Sequence, residues 1–476
     1  MNYILNNHIW SDDIVSTIMM FFPNEKYIQV LSPEKMTLVS ELEGNKARAV
    51  FYRDGDIIGS NELGINPYDE KSTRYGLRIS AFKCLMSVKK VKMPWGALTG
   101  VRPAKIVWNL WDQGCSDEEV YRHLTENCLV SEEKARLCIT VAKNEREIIK
   151  RGSRDKIGLY IGIPFCPTRC LYCSFTSYPL KQYADRVDKY LDALEREIEF
   201  VSGITKDKTI ESLYIGGGTP TSLNEAQLDR LLYMVNKYFK APMEYTVEAG
   251  RPDTITRQKL KSLKEYNVGR ISINPQTLND KTLKIIGREH TTHMFLNAFE
   301  TAREEGHKHI NTDIILGLPG EGEAEVTATM EGLAKLMPES ITVHTLAVKR
   351  ASRLKETLEE YNMTDFDAME EMLAVSAEYT KNMGMHPYYM YRQKNMVGNF
   401  ENVGYCKPHC ECVYNVQIME EKQTIWALGA GGSTKLVDPK TDRIERVFNV
   451  KSVDDYIARL DEMLERKKAI LELFKD

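Results

Sequence analysis

The 476 residues carry 42% hydrophobic and 28% charged side chains, ordinary for a water-folded protein and too many for one core, so two or three domains are expected. A formal net charge of −4, with basic clusters alternating with Glu and Asp, leaves no electrostatic footprint for nucleic acid or an anionic membrane. No apolar run reaches membrane-span length, and the opening MNYILNNHIWSDD lacks a basic-then-apolar leader, so a cytoplasmic protein is expected.

In chain order, short β runs come first: Tyr27–Leu31, Met36–Val39, Ala47–Tyr52 and Asp56–Gly59, separated by charged and Gly-containing turns and read as a small meander. A helix is predicted around 70–89. Ser116 and Ser131, each ahead of acidic residues, mark two further helix starts. Residues 1–150 are therefore expected to form a separate α+β domain.

From residue 157 the rhythm changes to alternating strand and helix, with strands predicted at 158–164, 210–216, 243–249, 269–274, 309–316 and 340–347. Leu228, Leu231, Leu232, Val235 and Phe239 fall on one helical face, behind a capping box of Asn224 and Gln227. Val187, Leu191, Leu194, Ile198 and Val201 recur at the same spacing, and both stripes read as core. Six such units imply a parallel sheet with right-handed crossovers, a full or partial barrel over 151–350, whose site belongs at the C-terminal strand ends. Residues 351–476 are expected to cap the substrate.

The unusual residues follow those strand ends. In Ile161-Gly-Ile-Pro-Phe-Cys-Pro-Thr-Arg-Cys-Leu-Tyr-Cys173, Cys166, Cys170 and Cys173 are spaced C-x3-C-x2-C; the rest of the ten cysteines are dilute, which suits a reducing compartment. Thiolates hold iron–sulfur clusters, usually four per cluster, so three leave one iron open to chelation by S-adenosylmethionine (SAM). Zinc would normally recruit a fourth Cys or His, and the nearest downstream histidine, His290, is remote. Gly216-Gly217-Gly218-Thr219-Pro220 caps the second strand, where the lack of Cβ atoms would let backbone N–H and C=O groups approach a ligand. Glu248 ends the third strand, with a structural salt bridge to Arg251 or Arg270 as the alternative to a binding role. Gln276, Arg288 and Asp313 follow at successive ends.

Tyr160–Phe175, Gly216–Thr221, Val247–Ala249, Arg270–Gln276, Arg288 and Asn311–Gly320 together resemble the radical SAM family of oxygen-independent coproporphyrinogen III oxidases. The likeness is strongest to its HemZ branch, the coproporphyrinogen dehydrogenases, and spans roughly residues 155–435. The resemblance implies a partial (β/α)6 barrel with an N-terminal α+β domain and a C-terminal α+β cap. It also implies a 4Fe-4S cluster on Cys166, Cys170 and Cys173, with SAM bound by Tyr160, Gly217, Gly218, Thr219, Glu248, Gln276, Arg288, Asp313 and Ala347. In that family a 5′-deoxyadenosyl radical takes hydrogen from a propionate of the tetrapyrrole, and loss of CO2 leaves a vinyl group. The partners implied are a tetrapyrrole substrate and an electron donor such as flavodoxin or ferredoxin. The alternatives within the resemblance are another SAM-dependent tetrapyrrole reaction, methyl transfer or haem ring opening, and a haem-binding chaperone.

The chain departs from the family at Phe175, where the best-studied enzymes carry a further cysteine, and it lacks the His-Asn-x-x-Tyr element of the haem chaperones. Cys406, Cys410 and Cys412, with His409, could bind zinc or an auxiliary cluster; their C-x3-C-x-C spacing reads instead as reduced thiols in a loop near the active site. Arg392, Lys394 and Lys407 are expected to meet substrate carboxylates or to be solvated surface charges. Gly429–Ser433 resembles a glycine-containing segment beside the substrate pocket. His344 and His386 read as structural histidines.

Overall fold

The computed structural model describes residues 1–476 except 24, 152–154, 349–351, 357–363, 394–399, 439, 440, 442 and 473–476. Lys394, expected near substrate carboxylates, lies outside the described residues. The chain forms two compact units, residues 1–139 with 392–400, and residues 140–391 with 401–476.

In the first unit, β1 (Asn2–Asn6), β2 (Ile28–Gln29), β3 (Thr37–Glu43), β4 (Lys46–Arg53) and β5 (Asp56–Gly64) form a sheet in the order β2-β1-β3-β4-β5. The meander holds for β3–β5 alone, because β1 inserts parallel between β2 and β3. Parallel partners need a long crossover, here carrying the helix Ser11–Phe21, and such pairing leaves no local turn signal in the sequence. That helix and Glu70–Val88 bury Ile14, Ile18, Leu77, Phe82 and Leu85 against Leu38, Ala49 and Phe51. Ser116 caps the helix start expected there, and Glu119 returns the bond to make the cap reciprocal.

The second unit is built on β6 (Lys156–Ile163). Two dipeptide strands, β7 (Phe165–Cys166) and β8 (Tyr178–Pro179), pair with each other beyond it. Then come β9 (Thr209–Gly217), β10 (Glu244–Glu248), β11 (Arg270–Ser272), β12 (His309–Leu316) and β13 (Ser340–Thr345). These are the six predicted barrel strands, and they pair in parallel in the order β6-β9-β10-β11-β12-β13. Both faces are covered: β6, KIGLYIGI, reads as a nearly continuous apolar run rather than an alternating one, and β9 is buried over consecutive residues although it includes Glu211 and Ser212. The two predicted core stripes are buried, and Asn224 and Gln227 form their cap.

The C-terminal residues extend this sheet. β14 (His386–Arg392) and β15 (Glu401–Cys406) add to its β13 edge, and β15 runs antiparallel to β13. β16 (Ile425–Leu428) joins β6 in parallel, followed by β17 (Ser433–Val437) and β18 (Ile444–Phe448), giving eleven strands among the described residues.

Candidate functional site

The cysteine loop leaves the C-terminal end of β6 and is pinned at several points. Leu171 N donates to Ile286 O (2.9 Å), and Cys173 N to Cys170 O (3.2 Å). Arg251 Nη1 reaches Thr168 Oγ1 (3.0 Å) and lies 3.9 Å from Cys170 Sγ, while its other nitrogens grip Asp253 at 2.9 and 2.7 Å. The three thiols are free and close enough to interact electrostatically. Burial pushes Cys166 up to about 11 and also raises Cys173, so cation binding at this loop must displace protons.

The glycine turn supports that loop. Gly218 N donates to Ile163 O (2.8 Å) and Thr219 N to Phe165 O (2.7 Å), so these amides are spent on the fold and are not free for a ligand. A Cβ on Gly218 would stand 2.5 Å from Phe165 O and 3.0 Å from Cys166 Sγ, and Gly217 has φ +109°, which excludes other residues on steric grounds. Thr219 Oγ1 sits 3.5 Å from Cys166 Sγ. Tyr160 belongs to an aromatic stack with Tyr214 and Tyr414.

Glu248 is not salt-bridged to either arginine the sequence offered: Arg251 pairs with Asp253, and Arg270 with Glu244. It accepts the Tyr214 hydroxyl at 2.7 Å and is pushed up to about 7, chiefly by burial, which the Asp313 charge reinforces. Asp313 lies beside it in a polar lattice. Burial raises its carboxyl, but its neighbours His344, Asn311 and Thr342 outweigh that and hold it low. Asn274 Nδ2 and Asn311 Nδ2 each donate to Asp313 at 2.8 Å, and His344 Nε2 stands 3.9 Å away, beyond hydrogen-bond range.

Gln276 has φ +68° and bridges to β12 through Gln276 N to Asp313 O (3.1 Å) and Ile315 N to Gln276 O (2.9 Å). Its Oε1 is buried without a partner, a costly state that a donor from a ligand would relieve. Arg288 donates through Nη1 to Gly250 O (3.1 Å) and Asn274 O (3.0 Å) and through Nη2 to Tyr172 Oη (3.1 Å). Ala347 lies two residues beyond β13, half-buried. Thus the C-terminal strand ends gather the residues that the sequence named. Arg251, Asp253, Tyr172 and Tyr214 support them; their signal in sequence was only proximity to a motif.

Other expected site residues lie elsewhere. Cys406 pairs with Ser340, the first residue of β13, so the Cys406–Cys412 loop sits at the N-terminal strand ends, opposite the cysteine loop and not near it. Lys407 is at that end too, donating to Glu339 (3.2 Å) and Met337 O (2.9 Å). Arg392 is buried, donates to Leu98 O (2.7 Å) and stacks over Trp95, so it is neither a solvated charge nor open to a carboxylate. Gly429 follows β16 beside Gly162.

A model of the radical SAM superfamily matches residues 160–333. The oxygen-independent coproporphyrinogen-III oxidase-like protein HemZ of Bacillus subtilis is 40% identical over 390 residues, covering 80% of this chain and 78% of its own. The heme chaperone HemW of the same organism is 32% identical over 303 residues, covering 63% of this chain and 74% of HemW. Among solved structures, coproporphyrinogen III oxidase HemN of Escherichia coli shares the fold, with a TM-score of 0.54 and 22% identity over 68% of this chain and 73% of that one. Fold and site thus define a radical SAM protein, a class whose cofactors are a 4Fe-4S cluster and SAM. The chain belongs to the family of oxygen-independent coproporphyrinogen-III oxidase-like proteins. Its residues fit those cofactors chemically: three free thiols share one loop, and Gln276 Oε1 lacks a donor.

Proposed function

We propose that the protein oxidatively decarboxylates two of the four propionates of coproporphyrinogen III to vinyl groups, giving protoporphyrinogen IX. The carrying observation is three free thiols on one loop at the end of β6 in a chain 40% identical to HemZ over 80% of its length. Cys166, Cys170 and Cys173 hold the cluster, and Tyr160, Gly217, Gly218, Thr219, Glu248, Gln276, Arg288, Asp313 and Ala347 form the SAM cleft. When bound, the two cofactors supply the hydrogen-abstracting radical.

The protein's own part is orientation and exclusion of water. Arg251 and Thr219 steady the thiols, Glu248 accepts ribose hydroxyls, and Gln276 Oε1 accepts a donor from the cofactor. Phe175, 67% exposed just beyond Cys173, adds apolar aromatic surface on which one pyrrole ring of the substrate could pack. The reaction needs a one-electron donor such as flavodoxin or ferredoxin to start it and a one-electron acceptor for the electron that the substrate radical releases as CO2 leaves; a reducing, cytoplasmic setting is consistent with ten free cysteines.

A second reading, a haem chaperone, is favoured by the similarity to HemW and by the commitment of Arg392 and Lys407 to other partners, which leaves fewer cations for propionates. One anaerobic assay separates them. Reconstituted protein with SAM, a reductant and coproporphyrinogen III is expected to release CO2 and form vinyl product. Tight stoichiometric haem binding without SAM consumption would instead establish the chaperone.

A further inference from the structure

At the N-terminal end of the barrel strands, away from the cysteine loop, lies a cluster the proposed reaction does not use. His386 opens β14, Cys406 closes β15, and Glu411 stands in the loop that follows. His386 Nε2 is 3.2 Å from Glu411 Oε1 and 3.9 Å from Cys406 Sγ, and the three ligand atoms all lie within 4.8 Å of one another. Zinc bond lengths place neighbouring ligand atoms of a tetrahedron roughly 3.3–3.7 Å apart, so small side-chain adjustments close the set.

The surroundings hold the donors in place. Arg270, salt-bridged to Glu244 at 2.8 Å, donates to Cys410 O (3.0 Å) and Glu411 O (2.9 Å), fixing the loop's backbone. Glu244 also accepts Val413 N (2.9 Å) and Tyr414 N (3.1 Å) at the start of the helix Val413–Glu420. Cys406 is buried, whereas Glu411 borders a cavity of about 540 Å³ also lined by His309, His409 and Arg270. A His–Glu ion pair alone explains the 3.2 Å contact, but not the thiol aimed at the same imidazole nitrogen. A thiolate, a carboxylate and a neutral imidazole together carry the charge that balances a divalent cation.

We propose that His386 Nε2, Cys406 Sγ and Glu411 Oε1 bind a zinc-type divalent metal, with the fourth position open to the cavity. The ion joins the edge strands β14 and β15 to the loop at the N-terminal strand ends. Of the donor set the sequence offered, only Cys406 is kept, since His409 is on the cavity wall and Cys412 Sγ donates to Glu244 (3.4 Å).

The test is metal content of the full chain, purified anaerobically, supplied with zinc and desalted. Wild type should retain about one zinc per chain beside the cluster iron. Replacing Cys166, Cys170 and Cys173 together by Ser should remove the iron and leave the zinc, while C406S should do the reverse. Cobalt loaded in place of zinc should show a thiolate charge-transfer band that C406S abolishes and that shifts in E411Q, a variant suited to use if C406S does not fold. Wild type without zinc, or zinc and cobalt signals unchanged by C406S, H386A and E411Q, would overturn the site.

Discussion

At the residue scale, Glu248 carries the clearest electrostatic signature. Its carboxyl, pushed up to about 7 chiefly by burial, binds a proton in the fold at a pH where the unfolded chain has released it. Its favourable contribution is therefore present below about pH 4.5 and is lost as pH rises through about 7. The loss is on the order of 3 kcal/mol at most. Thermal unfolding of the unliganded protein should fall in midpoint between about pH 5 and 8, and Glu248→Gln should flatten that slope; an unchanged slope in the variant would place the titration elsewhere. The carboxylate's value for the site was legible at a strand end, but its partner was not: Tyr214 is merely another apolar position of β9 until the pairing of β9 with β10 sets the two side by side.

At the scale of elements, the six parallel strands were readable because they alternate with helices that show buried apolar stripes, and the cysteine spacing was readable because it is local. The edges were not. β15 reverses direction against β13, and that reversal alone carries Cys406 and Lys407 to the opposite end from Cys166. Nothing in the linear order announces it. The helix Val187–Ile204 depends on distant parts of the chain, since its buried Glu197 accepts Lys467 Nζ (2.9 Å), Tyr456 Oη (2.6 Å), Asn449 Nδ2 (2.8 Å) and Gly429 N (2.7 Å). Lys467→Met should destabilise this unit by about 3–5 kcal/mol by leaving a buried carboxylate without its countercharge, and adding Glu197→Gln should recover much of that. Denaturant titration of the single and double variants measures both; equal stability of the single variant and wild type would show that the pair is dispensable.

For the whole molecule, the two ends of one barrel sheet carry different chemistry. The C-terminal end gathers thiols, an orphaned amide oxygen and a carboxyl that titrates near pH 7, while the N-terminal end carries the segment running from Cys406 into the helix Val413–Glu420. A net charge of −4 and the absence, among the described residues, of a helix able to cross a membrane frame the molecule without specifying its substrate. The substrate claim is tested most directly by following hydrogen from a deuterated propionate of coproporphyrinogen III, incubated anaerobically with reconstituted protein, SAM and a reductant. Hydrogen abstraction from the propionate should give 5′-deoxyadenosine that carries the deuterium and accumulates with vinyl product. Unlabelled 5′-deoxyadenosine, formed equally fast without porphyrinogen, would contradict it.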